Sequence, residues 1–188
     1  MRKILKIIIA IFAVLIVFFV GFAAVMFLDI SAIGATQSET LTPSGSSAGR
    51  ALVVYDPGLT GAAKGVADQV SSDLLSSGYT VDLAGVRSNT TEDTTGYAIV
   101  VAGGPIYGGA PTSSIKDFLN NLTPDQGTKV GVFGSGSGPQ EASDIAMIKD
   151  AVTALSPEGS LPNAVVVKIG AGEDLNARAA DFVAQLTS

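Results

Sequence analysis

Beyond residue 50 the chain repeatedly returns to short apolar runs, and these constrain its fold more than any other feature. Ile99, Val100 and Val101 form one such run without alternation. A strand that is apolar on both faces must be covered on both faces, as in a parallel sheet with helices on either side. ALVVY at 51–55, KVGVF at 129–133 and AVVVKI at 164–169 read as further strands, and YTVDL at 79–83 alternates as a half-covered one. Helical spacing fills the intervals. Ala63, Val66, Ala67, Val70 and Leu74 share one face, as do Ile115, Phe118, Leu119 and Leu122. Ile145, Ile148, Val152 and Leu155 form a third such set, and Leu175, Ala179, Phe182, Val183 and Leu186 a fourth. Arg87 to Gly96 is polar and reads as a loop or one short helix. Five strands, each followed by a helix or a helix-length segment, predict an α/β, doubly wound, five-stranded parallel sheet. Right-handed crossovers leave few strand orders, and five strands favour 2-1-3-4-5.

The amino-terminal part is different in kind. Residues 7–28 carry no charge and would span about 33 Å as a helix, enough to predict one transmembrane helix before the domain. Arg2, Lys3 and Lys6 form a basic flank over 1–6, so the positive-inside rule puts the amino terminus in the cytoplasm and the remainder outside. The alternative is a signal peptide cleaved among Ala32, Gly34 and Ala35, releasing a secreted protein. Residues 29–49 are rich in small and hydroxyl residues and read as a flexible linker; the folded domain is expected over 50–188.

Composition excludes several chemistries. The chain has no Cys and no His, so no disulfide, Cys- or His-based metal site or imidazole-dependent triad can come from it. All 17 acidic residues lie beyond residue 28, against 8 of the 11 basic ones, a balance that repels nucleic acid. Asn89-Thr90-Thr91 and Asn121-Leu122-Thr123 are glycosylation triplets compatible with export.

Three glycine-rich turns would follow strands one, three and four and gather on one edge of such a sheet, where open α/β sheets bind ligands. The first, DPGLTGAAKG at 56–65, opens a helix and so offers free amides to an anion. It is neither a Walker A motif nor G-x-G-x-x-G. It resembles the phosphate loop of the flavodoxins, of the form [ST]-x-T-G-[NT]-[TS], onto which Gly58, Leu59, Thr60, Gly61, Ala62 and Ala63 fall. Thr60 and Gly61 match. The hydroxyl expected at 58 and the polar side chains expected at 62 and 63 are missing, while Asp56 adds a negative charge that Lys64 is placed to offset. GGPIYGG at 103–109 is similar to the same family's G-[ST]-P-x-Y-G-G segment, and Asp117, Phe118 and Leu119 stand where its following helix has D-F-L.

The resemblance covers about residues 50–188 and implies a flavodoxin-like fold that binds FMN non-covalently. It implies that Tyr107 stacks on the isoalloxazine ring with Pro105, Ile106 and Gly108 around it. It also implies that Gly134, Ser135, Gly136, Ser137 and Gly138 reach the ring from the far side, through backbone amides and the two hydroxyls. The function then expected is electron transfer to a redox partner protein, from a domain tethered to the lipid bilayer through 7–28. The alternatives are a binding module of this fold without FMN, or a flavin-dependent oxidoreductase of the quinone or porphyrinogen type. A response-regulator receiver needs an acceptor Asp after strand three, where this chain has Gly103 and Gly104.

Overall fold

A computed structural model describes residues 11–22 and 36–188. The first helix, α1, is described over residues 11–22, with its apolar side chains exposed. Among the described residues no helix is long and apolar enough to cross a membrane. This corrects the expected single-pass helix over 7–28, and with it the bilayer contact and the extracytoplasmic placement of the domain. The basic flank, the rest of the 7–28 segment and the alternative cleavage site lie outside the described residues.

The strands are β1 (Ser38–Leu41), β2 (Gly49–Tyr55), β3 (Tyr79–Gly85), β4 (Ile99–Tyr107), β5 (Ala110–Pro111), β6 (Lys129–Gly136) and β7 (Val165–Gly170). The helices that follow α1 are α2 (Ala62–Ser76), α3 (Ser113–Asn121), α4 (Ala142–Ala151) and α5 (Leu175–Thr187). The sheet order is β1-β3-β2-β4-β6-β7, with β5 pairing only with β4. Its parallel members, β3-β2-β4-β6-β7, reproduce the expected 2-1-3-4-5 order. The count of five strands is corrected to seven by β1, antiparallel to β3, and by β5, antiparallel to β4.

The period of two in β2 explains the layering. Ala51, Val53 and Tyr55 pack with Val66, Val70 and Leu74 of α2 and Phe182, Val183 and Leu186 of α5. Leu52 and Val54 point the other way, into a cluster with Ile115 and Leu119 of α3 and Ile148 of α4. Both faces are therefore dry, and each fully buried aliphatic or aromatic side chain contributes about 1.5–3 kcal/mol. Glycines in the strands make room for this packing. Gly103 is paired with Phe133, whose ring and carbonyl occupy the space a Cβ at 103 would take, and Ile106 fills the same space at Gly134.

β1 lies inside the stretch expected to be a linker, because Asp82 fastens it. The Asp82 carboxylate is 5% exposed and accepts hydrogen bonds from Thr40 Oγ1 at 2.5 Å, Arg50 Nη2 at 2.7 Å and Tyr97 Oη at 2.8 Å. The Arg50 guanidinium also stands 4.5 Å from the centre of the Tyr97 ring. Burial pushes the Asp82 pKa up, but the hydrogen bonds from Thr40, Arg50 and Tyr97 outweigh it and hold the group below the ordinary carboxylate range. Tyr97 is pushed up to about 12 by burial and by its bond to Asp82.

Candidate functional site

The site is built at the carboxyl ends of β2, β4 and β6. Asp56 follows β2 directly, and its backbone amide still pairs with Gly103 O at 3.0 Å. Its side chain turns inward and is fully buried. There it accepts from Gly58 N at 3.1 Å, from Thr112 Oγ1 at 3.0 Å and from Ser114 Oγ through a short bond. The carboxylate thus ties the first loop to the start of α3. Lys64 does not offset it, since its ammonium pairs with Asp68 at 2.7 Å and stands 5.7 Å from the Tyr55 ring centre.

Gly58 adopts φ 60°, and a Cβ there would meet Pro105 Cγ at 2.7 Å and Tyr107 Oη at 3.3 Å. The first loop therefore rests directly on the end of β4. Leu59 is 46% exposed. Gly61 caps α2 with φ 72°, in open space. The first helical bond runs from Gly65 N to Gly61 O, so the amides of 61–64 precede it, and that of Ala62 leans 3.4 Å toward Thr60 Oγ1. Ala63 is buried in the core, away from this turn.

The second expected loop is largely strand. β4 continues through Pro105, Ile106 and Tyr107 and then reverses into β5, pairing Ile106 with Pro111 and Tyr107 with Ala110. Gly108 and Gly109, at φ 59° and 87°, make the two-residue turn with both φ positive that matches the twist of a hairpin. The third expected loop is corrected in the same way. Gly134, Ser135 and Gly136 belong to β6, with Ser135 buried between Pro105 and Ile169. Ser137 and Gly138 then turn toward β7. Ala171 N donates to Gly136 O at 2.9 Å, the Gly138 carbonyl lies against Gly170, and Gln140 Oε1 accepts from Lys168 N at 2.8 Å.

Ile106, Gly108, Gly109, Gly136 and Ser137 line a cleft of about 170 Å³. Its other wall is made by Asp144, Met147 and Lys168, which sequence reasoning missed. Met147 covers the hairpin, with Sδ 2.6 Å from where a Gly109 Cβ would stand, and is itself 41% exposed. Lys168 is buried and pairs with Asp144 at 2.9 Å. Asp144 is held below the ordinary carboxylate range by the Glu141 amide and then by Lys168. A lysine inside AVVVKI was the visible signal, since a buried strand accepts a charge only beside a partner. A larger cleft, about 500 Å³, lies between Arg87 and α3 and contains none of the expected residues. In the smaller one the hairpin and the end of β6 converge.

No family model matches the chain, and no curated protein matches it. Solved structures do. A flavodoxin from Streptococcus pneumoniae TIGR4 aligns with a TM-score of 0.52 at 20% identity, over 73% of this chain and 97% of its own. Oxidised flavodoxin 2 from Bacillus cereus aligns at 0.51 and 18% identity, over 73% and 97%. Rubredoxin oxygen:oxidoreductase from the anaerobe Desulfovibrio gigas aligns at 0.50 and 16% identity, over 75% of this chain and 36% of that one. At such identities a likeness establishes architecture, and the architecture is the flavodoxin-like fold.

Proposed function

We propose that the chain binds FMN at this sheet edge and carries electrons to a partner protein. The observation that carries the reading is the mutual packing of the first turn and the ends of β4 and β6: Gly58 rests on Pro105 and Tyr107, and Ile106 fills the space at Gly134. The residues present suit the ring of the flavin better than its phosphate. The amides of 61–64 and the Thr60 hydroxyl would hold the phosphate, and no acidic residue stands in the first turn of α2. Tyr107, with Pro105, Ile106 and Gly108, would stack on and border the ring. Residues 136–138 would close its far side, where Gly136 and Ser137 already line the cleft, whereas Gly134 and Ser135 are covered within β6. When bound, the flavin supplies reversible electron transfer; the protein's residues bind it, orient it and exclude water. With no His and no Cys in the chain, carriage is favoured over turnover of a substrate. The excess of acidic residues suits a basic partner surface.

One observation favours a module of this fold without flavin: the cleft of about 170 Å³ is smaller than the roughly 300–1,000 Å³ usual for ligand pockets. Titration of the full chain with FMN decides between them. Saturable quenching of flavin fluorescence, weakened by Tyr107→Ala, supports the carrier, and absence of quenching at high micromolar protein refutes it.

A further inference from the structure

We propose that the site recognises a flavin through its ring and discriminates little between FMN and riboflavin. This rests on the flavin reading above and specifies which ligand chemistry the site can tell apart. A site selective for a phosphate dianion needs side-chain donors, a nearby cation or freedom from negative charge, and the first loop is poor in all three.

Its only hydroxyl within 56–65 is Thr60, already 3.4 Å from the Ala62 amide. Ala62 puts a methyl group where a donor could stand, and Ala63 is turned into the core. Lys64 is the only basic residue of the same stretch, and Asp68 holds its ammonium through both carboxylate oxygens, at 2.7 and 3.0 Å. Asp56 acts in the opposite direction. Its carboxylate is buried directly behind the loop, and its three hydrogen-bond partners, Gly58 N, Thr112 and Ser114, are all uncharged. A carboxylate that is buried without a cationic partner is weakly screened, so an anion seated on the loop meets both the attraction of the helix amides and the repulsion of Asp56.

The ring side has no such conflict. Tyr107, Pro105, Ile106 and Met147 offer aromatic, apolar and thioether surface, and the neighbouring glycines leave backbone within reach. One charge-assisted bond to a phosphate is worth about a tenfold to hundredfold change in affinity, so the missing donors remove most of the preference a phosphate would confer.

The test is a parallel fluorescence titration of the full chain with riboflavin and with FMN at fixed ionic strength. The two dissociation constants are expected within tenfold of each other; FMN binding more than tenfold tighter overturns the proposal. Binding of neither flavin overturns the flavin reading itself, a distinct result. Asp56→Asn keeps an acceptor oxygen, and its amide can donate to the Thr112 or Ser114 hydroxyl, which can accept as well as donate. It is expected to shift the ratio of the two constants toward FMN by tenfold or more, and an unchanged ratio in folded protein refutes the role of Asp56. Ala62→Asn, on the exposed start of α2, adds a donor without touching the core and is expected to shift the ratio the same way. A ratio unmoved by Ala62→Asn counts against the proposal even where Asp56→Asn does not fold.

Discussion

Replacing Asp82 by alanine tests whether one buried carboxylate holds the amino-terminal edge strand on the sheet. Three donors lose their acceptor: the half-exposed Arg50, the exposed Thr40 and Tyr97, which is 5% exposed. Arg50 regains water and keeps its 3.1 Å contact with Tyr97 Oη, so its loss is small. A buried hydroxyl left without its carboxylate costs about 1–3 kcal/mol, and loss of the Thr40 tie adds about 1 kcal/mol. The sum, about 3 kcal/mol, is a large share of the roughly 5–15 kcal/mol that holds a domain folded. Urea unfolding at pH 7 measures it, and amide exchange at Ser38–Leu41 against 51–54 localises it. The folded pKa of Asp82 lies below its ordinary value, so its contribution is complete above about pH 4 and is lost as pH falls through the depressed value. The gap between wild type and variant should therefore narrow in acid. A loss below about 1 kcal/mol at pH 7, or unchanged protection of β1, would refute the reasoning.

Tyr97 titrates at about 12, above its ordinary 10, so its contribution is intact below pH 10 and is lost as pH rises toward 12. Unfolding measured from pH 9 to 12 should lose about 1 kcal/mol in wild type, after discounting for solvent screening, and less in Tyr97→Phe. Phe182→Ala empties a fully buried position whose ring comes within 2.7 Å of where a Gly131 Cβ would stand; a loss of about 3–5 kcal/mol should appear in thermal unfolding. Gly134→Ala forces Ile106 out of its place, costing about 1–3 kcal/mol, and the double variant with Ile106→Ala should recover part of that loss in the same assay.

The parallel core was legible in the sequence because a strand covered on both faces cannot avoid an unbroken apolar run. The same logic placed α2 and α5 through their buried stripes. What escaped has a common cause: glycine and small polar residues carry a weak local signal. Gly103–Tyr107 and Gly134–Gly136 read as loops because glycine usually interrupts strands. Here Phe133 and Ile106 fill the absent side chains and the ladder runs on. β1, SETL, has one apolar residue, and only its tertiary bond to Asp82 distinguishes it from the linker expected there. At the site, strand order placed the three turns on one edge, whereas the packing of Gly58 on Pro105 and Tyr107, of Met147 on the hairpin and of Asp144 with Lys168 depends on side-chain contacts between elements distant in sequence. The uncharged stretch at 7–28 has the length of a membrane span, but among the described residues no helix is long and apolar enough to cross one.

The three bonds to Asp56 also bear on how fast a ligand arrives and how long it stays. Because Gly58, Thr112 and Ser114 are fastened to one carboxylate, the first loop and the start of α3 form a single rigid piece before anything binds. Little conformational entropy is then lost there on association; ordering is confined to the exposed tip from Leu59 to Gly61. For the flavin proposed above, arrival would be set by diffusion to a ready-made edge, and residence time by the contacts made with the ring.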